Sequence, residues 1–435
     1  MRFDRLLRLT LLALASAALN GCGGGDKHHA QVRMLNVSIG YQSLDLYVNK
    51  NGDSGDTQLL QGIGYESLSD YASIGSGKYE VKLKVHGGSA TLQDISSENF
   101  TDDTHATYLE YGSTGNFGSL KVSEDVADQD DGKSGLQIYN VAEAGSLDVY
   151  LTDSSTSLTD TTATFSSVSS GSSASSTTID KGTYRLRVTA AGNKSDLRLD
   201  VASITFNNKK NATLILTATT GGVLVNALYL PQQGSLTKYE NTNARIRAAV
   251  GMSDGTVASI SVGGASLLTN ATAGVIGGSY SQISAGAASV SVTVDGNPFS
   301  VADQTLAAGA DYTLLVWSNA DGNQISLISD DNHLPTTSGK LKLRILNGMS
   351  SLGDAVNLTA NFSPVAQGVA VGQASTPAQV DSGSDYELDV TDVTNGATLL
   401  SKTSVSLAAS YVYTLFVSGG GTAAVNGALH KDAGN

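Results

Sequence analysis

Leu136-Gln137-Ile138-Tyr139-Asn140, followed by Leu147-Asp148-Val149-Tyr150-Leu151, is the stretch that decides the fold. Apolar and polar residues alternate in both segments, the period of a strand with one buried face. The pair recurs as Val32-Arg33-Met34-Leu35-Asn36 with Leu44-Asp45-Leu46-Tyr47-Val48. It recurs again as Leu343-Arg344-Ile345-Leu346-Asn347 with Ala355-Val356-Asn357-Leu358-Thr359. A weaker copy runs through Arg245-Ile246-Arg247 and Ala258-Ser259-Ile260-Ser261-Val262. Two more signals follow in fixed order. One is a β-branched residue, two spacers and a glycine: Ile74 with Gly77, Ile179 with Gly182, Ile283 with Gly286, Val380 with Gly383. The other is a late strand: Thr107 to Tyr111, Thr213 to Thr217, Tyr312 to Val316, Tyr413 to Val417. Ordered signals that return at roughly one-hundred-residue intervals mark a repeat architecture.

Each copy holds about seven short strands between Gly, Asn, Asp and Ser turns, the spacing of a β-sandwich. The predicted fold is all-β: four tandem immunoglobulin-like β-sandwich modules after a cleaved signal peptide. The predicted divisions are a signal peptide (1–21), a lipidated tether (22–30) and modules at 31–133, 134–241, 242–337 and 338–435, the third divergent. The connectors Glu124 to Gly135, Pro231 to Asn243 and Asp330 to Gly339 are polar. They predict a semi-rigid string of modules, with motion between neighbours. The recurring glycine predicts a turn with positive φ before the strand that begins at Tyr79, Tyr184, Ser289 or Tyr386. Between Ser154 and Thr178, where Ser and Thr predominate, the pattern reads as a polar edge hairpin of the second module.

Composition agrees with strands. There are 48 Gly and only 5 Pro in 435 residues, with abundant Ser, Thr, Val and Tyr. A formal charge of -14, with Lys and Arg scattered, argues against nucleic acid or an anionic lipid surface as partner, because both require clustered positive charge.

The single cysteine, Cys22, ends a distinctive N-terminus. Arg2, Arg5 and Arg8 precede the apolar run Leu9 to Leu19, which is too short to span a bilayer core. Leu19-Asn20-Gly21-Cys22 resembles the lipobox of bacterial lipoproteins. That resemblance implies a diacylglycerol thioether and an N-acyl (palmitate-type) chain on Cys22, and membrane attachment through them. Several acyl chains hold stably where one does not. Gly23 after the anchor, in place of Asp, implies outer-membrane sorting, with the modules facing the periplasm or the cell surface. With Cys22 acylated, no disulfide forms.

The opening strand, the L-D-[LV]-Y-[LV] strand and the G-x-Y hairpin together resemble the Domain of Unknown Function 4397 family of bacterial envelope proteins. The resemblance implies repeated β-sandwich modules behind a lipoprotein signal, and it brings no catalytic residues with it.

His28, His29, His86, His105, His333 and His430 contain no helical zinc spacing, and there is no G-x-S-x-G elbow. Adjacent carboxylates such as Asp102-Asp103 and Asp330-Asp331 point to opposite faces of a strand, a poor acid-base dyad. An enzyme and a cofactor are therefore not expected. Asn49, Asn51, Asp53 and Asp56 offer alternating oxygen ligands and are the weak candidates for calcium. Asp128, Asp130 and Asp131 form a similar run. The function expected is a non-catalytic spacer, adhesion or scaffolding module. The alternative is a glycan- or small-ligand-binding protein that stacks its ligand on Tyr47, Tyr65, Tyr71, Tyr79 and Tyr108.

Overall fold

The structure is a computed structural model that describes residues 29–51, 53–350, 355–419 and 424–434. The chain is all-β, and no helix occurs among the described residues. The lipobox and Cys22 lie outside them.

The first sandwich shows why the repeat reads as it does. Its strands are β1 (His29–Asn36), β2 (Ser43–Lys50), β3 (Thr57–Gly64), β4 (Ser67–Leu68), β5 (Ala72–Gly75), β6 (Gly77–Val85), β7 (Thr91–Phe100), β8 (His105–Ser113) and β9 (Asn116–Ser123). One sheet has the order β3-β2-β6-β7. The other has the order β4-β1-β8-β9, with β5 also paired to β1. Every pairing is antiparallel except β1 with β8, which run parallel from Gln31 opposite His105 to Asn36 opposite Glu110. Val32 and Met34 from one sheet meet Leu44, Leu46, Val81 and Leu83 from the other in the core.

The same parallel pair organises the rest of the chain. Lys133–Asn140 runs beside Asn211–Ala218, Asn243–Gly251 beside Asp311–Asn319, and Lys340–Met349 beside Tyr411–Gly419. Each of these strand pairs helps enclose a core of its own between two sheets. In the Ser/Thr-rich segment Phe165–Val168 forms an edge strand of the second sandwich, with Phe165 and Val168 in the core.

The recurring glycine divides three to one. Gly77, Gly182 and Gly286 have φ of 136°, 154° and 109°. Gly383 does not have positive φ, which corrects the expectation there. The tyrosine after it comes one residue later, and Asp385 takes the left-handed conformation instead, with φ 62°. Register shifts at this point, between Gly383 and Tyr386.

A second correction concerns the connection between sandwiches. They are packed, not strung loosely. Leu35, Val37, Leu109 and Val122 of the first sandwich form one apolar cluster with Tyr139, Val141, Ile215 and Leu228 of the second. Ala249, Ile276 and Leu315 of the third do the same with Leu346 and Phe416 of the fourth. The opening strand is thus buried on both faces. At the second contact the strands touch: a Cβ on Gly251 would lie 2.5 Å from the carbonyl oxygen of Gly348. Only glycine permits that approach.

Candidate functional site: the polar seams

The outward face of each parallel pair carries polar as well as apolar residues. Across the pair Arg33 faces Thr107, Arg247 faces Thr313 and Arg344 faces Thr414, while the second sandwich has Gln137 opposite Thr213. A guanidinium in a dry interface needs an anion and hydrogen-bond acceptors.

In the first seam Arg33 finds its anion within its own sandwich. Its Nε donates to Thr107 Oγ1 and Glu124 Oε1, both at 3.0 Å, and Nη2 reaches Glu124 Oε2 at 2.7 Å. The second sandwich seals this site: Arg33 Nη1 donates to the Gly234 carbonyl at 2.8 Å, and the Gln233 amide donates to Glu124 Oε2. Tyr71 lies under the guanidinium, 4.6 Å from carbon to ring centre.

The second seam exchanges partners. Arg247 of the third sandwich donates to Asp432 of the fourth at 2.5 Å, and Arg344 of the fourth donates to Asp330 of the third at 2.7 Å. Each arginine also holds its own threonine, Thr313 at 3.0 Å and Thr414 at 2.8 Å. Thr313 then donates to Asp330, and Thr414 to Asp432. Tyr280 donates to Asp330 at 2.7 Å and lies beneath Arg247. All four charged side chains are buried, Arg247 and Arg344 at 1% exposure each. Burial alone would raise the pKa of Asp330, but Arg344, Arg247, Thr313 and Tyr280 hold it below the ordinary range. Burial pushes the Tyr280 hydroxyl well above its own, with Asp330 adding to it. The arrangement is reciprocal, so the third and fourth sandwiches contact each other through equivalent residues, as in a two-fold dimer.

Two other repeated polar residues serve local backbone. Asn36 and Asn140 end their opening strands, Asn347 lies two residues from the end of its own, and all three are fully buried. Asn140 Nδ2 bridges the carbonyls of Gly145 at 2.9 Å and Val168 at 2.8 Å, and its Oδ1 accepts from the Ala142 amide. Asn36 and Asn347 act alike. The third sandwich has Val250 at this position, which is why its copy reads weakly. The aspartate of L-D-[LV]-Y-[LV] clasps a β-bulge. Leu44 pairs with Ile63 but Leu46 with Leu60, so two residues oppose Asp45 alone. The second of them, Gly62, has φ 67°, and its amide donates to Asp45 at 2.6 Å. Ser167 with Asp148, Asn270 with Ser259 and Gly368 with Asn357 repeat the device.

The calcium candidates sit at one hairpin end. Asp56 is engaged by Lys82 at 3.0 Å and Lys84 at 3.3 Å, and the Lys82 hydrogen bond leads the causes that lower its pKa. Asn51 and Asp53 are exposed, and the Asn49 Oδ1 is buried without a partner. Lys209 and Lys210 lie within 4 Å of Asp131 and Asp128, at 3.7 and 3.6 Å. Among the described residues no three His, Cys, Asp or Glu approach closely enough to hold a metal ion.

The five tyrosines do not form one platform. Tyr79 and Tyr108 are buried in the first core. Tyr71 stacks under Arg33, and Lys84 covers Tyr47 at 4.5 Å. Tyr65 is half-buried, and its hydroxyl pKa is pushed up by burial and by Glu66. His86 and His105 are paired with Asp45 and Asp125, each at 2.9 Å. A better cleft, of about 420 Å³, lies where Tyr111 and Phe117 of the first sandwich face Ser169 and Ser170 of the second and Leu334 and Pro335 of the connector. Neither aromatic stood out in the sequence, because each falls on an ordinary strand.

Fold and seams together define a protein of tandem β-sandwiches whose buried arginines Arg33, Arg247 and Arg344 bind neighbouring sandwiches to one another. The sequence profile described as "Domain of unknown function (DUF4397)" matches residues 30–150 and 244–353, more than half of the chain. The chain belongs to this family. No curated protein sequence matches it. Among solved structures, it is similar to CBMbc, a family CBM26 module from Eubacterium rectale Amy13K in complex with maltoheptaose. That match is at 12% identity over 48% of this chain and 96% of the other, with a TM-score of 0.16. It is also similar to a leucine-rich repeat protein from Bacteroides thetaiotaomicron, at 14% identity and a TM-score of 0.14. This match covers 43% of the chain and spans a quarter of that protein's length. At these TM-scores neither likeness bears on ligand or activity.

Proposed function

We propose that the chain is a non-catalytic, lipid-anchored envelope protein that acts as a rigid spacer or scaffold. The observation that supports this is the reciprocal pairing of Arg247 with Asp432 and Arg344 with Asp330. It joins neighbouring sandwiches through buried charge, where a passive linker would leave them free to rotate. In this reading the anchor is Cys22, acylated, in the outer membrane. The modules project into the periplasm or from the cell surface, and no cofactor, metal or nucleic acid takes part. Cys22→Ser should lose lipid labelling and move the protein from the membrane to the soluble fraction. Membrane retention after a high-salt wash would refute the anchor. Rigidity is tested by small-angle scattering of the mature chain, where a broad ensemble of shapes would refute the spacer.

A second reading, a glycan- or small-ligand-binding protein, is favoured by the Tyr111–Phe117 cleft. Its aromatic faces and serine hydroxyls suit a neutral polyhydroxylated ligand. Titration with neutral oligosaccharides should then perturb the Gly118 amide, and Tyr111→Ala should abolish the effect.

A further inference from the structure

The first half of the connector, residues 330–335, is drawn between the sandwiches, with Asn332, His333, Leu334 and Pro335 buried and residues 336–339 exposed. His333 lies at its centre, buried at 7% exposure. Its Nε2 is 2.8 Å from the carbonyl oxygen of Thr219 in the second sandwich. A carbonyl only accepts, so Nε2 carries a proton. Its Nδ1 is 2.9 Å from Asp331 Oδ1. The other oxygen of Asp331 accepts from Lys342 Nζ of the fourth sandwich at 2.8 Å. Burial opposes ionisation of Asp331, but His333 and Lys342 overcome it and hold the carboxyl below the ordinary range. An ionised carboxylate also only accepts, so Nδ1 carries a proton too. Both ring nitrogens face acceptors, and the geometry requires an imidazolium.

We propose that His333 is a proton-operated latch that fixes the first two sandwiches against the last two. The backbone around it makes the ties. The Leu334 amide donates to the Glu143 carbonyl at 2.8 Å, and Glu143 Oε1 accepts from the Ser113 amide of the first sandwich at 3.0 Å. Asn332 Nδ2 donates to Asp311 of the third at 2.8 Å. The charged groups facing the ring are Asp331, Lys342 and Glu143, with Asp311 and its partner Arg245 beyond Asn332. Removing one proton turns a lone pair of Nδ1 toward the Asp331 carboxylate, and the connector loses its clasp.

Burial alone would lower the pKa of His333, but Asp331, Glu143 and the Thr219 carbonyl raise it above the ordinary 6.5. The latch is therefore fully engaged below that value and loosens as pH rises through the higher one.

The test uses the full chain. An NMR titration of the His333 ring should show both nitrogens protonated at about pH 6 and a midpoint above 6.5. Amide-exchange protection of Leu334, corrected for intrinsic rate, should fall between about pH 6 and pH 9 by tenfold for each unit of that elevation. His333→Gln should abolish the pH dependence. Asp331→Asn should lower the midpoint and shrink the loss with it, and it serves if the first variant does not fold. A midpoint at or below 6.5, or a pH dependence unchanged in the variants, would overturn the latch.

Discussion

Glu110 makes the stability of the first sandwich depend on pH in a direction opposite to that of most carboxylates. It lies on β8 opposite Asn36, with no exposed surface. The equivalent residues of the other sandwiches, Leu216, Val316 and Val417, are in their apolar cores. Glu110 Oε1 accepts from Ser119 Oγ at 3.1 Å, and Oε2 has no partner. Burial pushes its pKa up from 4.5 to about 8, against a small lowering by Ser119. The folded state therefore keeps a proton that the unfolded chain releases. Stability falls as pH rises from about 4.5 to about 8, and at 1.36 kcal/mol per unit the loss approaches roughly 5 kcal/mol. Glu110→Leu should remove this dependence by restoring the residue type of the sister cores. Glu110→Gln should remove it while leaving an acceptor for Ser119. The assay is urea unfolding of the mature chain at about pH 5 and pH 8, followed through the Val81 and Leu83 amides, with Val292 of the third core as reference. An equal pH slope at Val81 in wild type and Glu110→Leu would refute the reasoning, since no other group changes between them.

Other outcomes follow from the seams and turns. Arg344→Met leaves Asp330 buried without its principal cation and should cost about 3–5 kcal/mol. Trp317, the single tryptophan, packs against Gly372 beside this seam, so its fluorescence reports the loss; an unchanged urea midpoint would count against a structural seam. Gly286 has φ 109° with open space where a Cβ would stand, so Gly286→Val should cost about 1–3 kcal/mol through backbone strain alone. Gly383→Val, without positive φ, should cost less in a parallel thermal melt, and a larger cost at Gly383 would contradict the assignment.

How much of this was legible varies with the range of the interaction. Alternation in Leu44-Asp45-Leu46-Tyr47-Val48 and its copies fixes which residues enter a core, because side chains on a strand alternate with period 2 whatever the partner. Asp45 and Asp148 were visible as repeated letters, but their role was not. It depends on a bulge in the neighbouring strand, and the bulge shows only as a register shift. Gly383 could not be told from Gly77, because a single added residue before Tyr386 moved the left-handed position to Asp385.

Sequence alone determined the strands, their repetition and the apolar residues that face each core, since these depend on local periodicity and on near neighbours along the chain. Tertiary structure alone decided what the outward faces do. Arg247 and Asp432, or Arg344 and Asp330, carry no spacing that marks them as partners. Their pairing follows from two sheets meeting face to face, where a desolvated charge must find an opposite one within hydrogen-bond reach. His333 reads as one histidine in a polar connector; the Thr219 carbonyl and the Asp331 carboxylate, brought to its two nitrogens by the packing of the sandwiches, make it a cation.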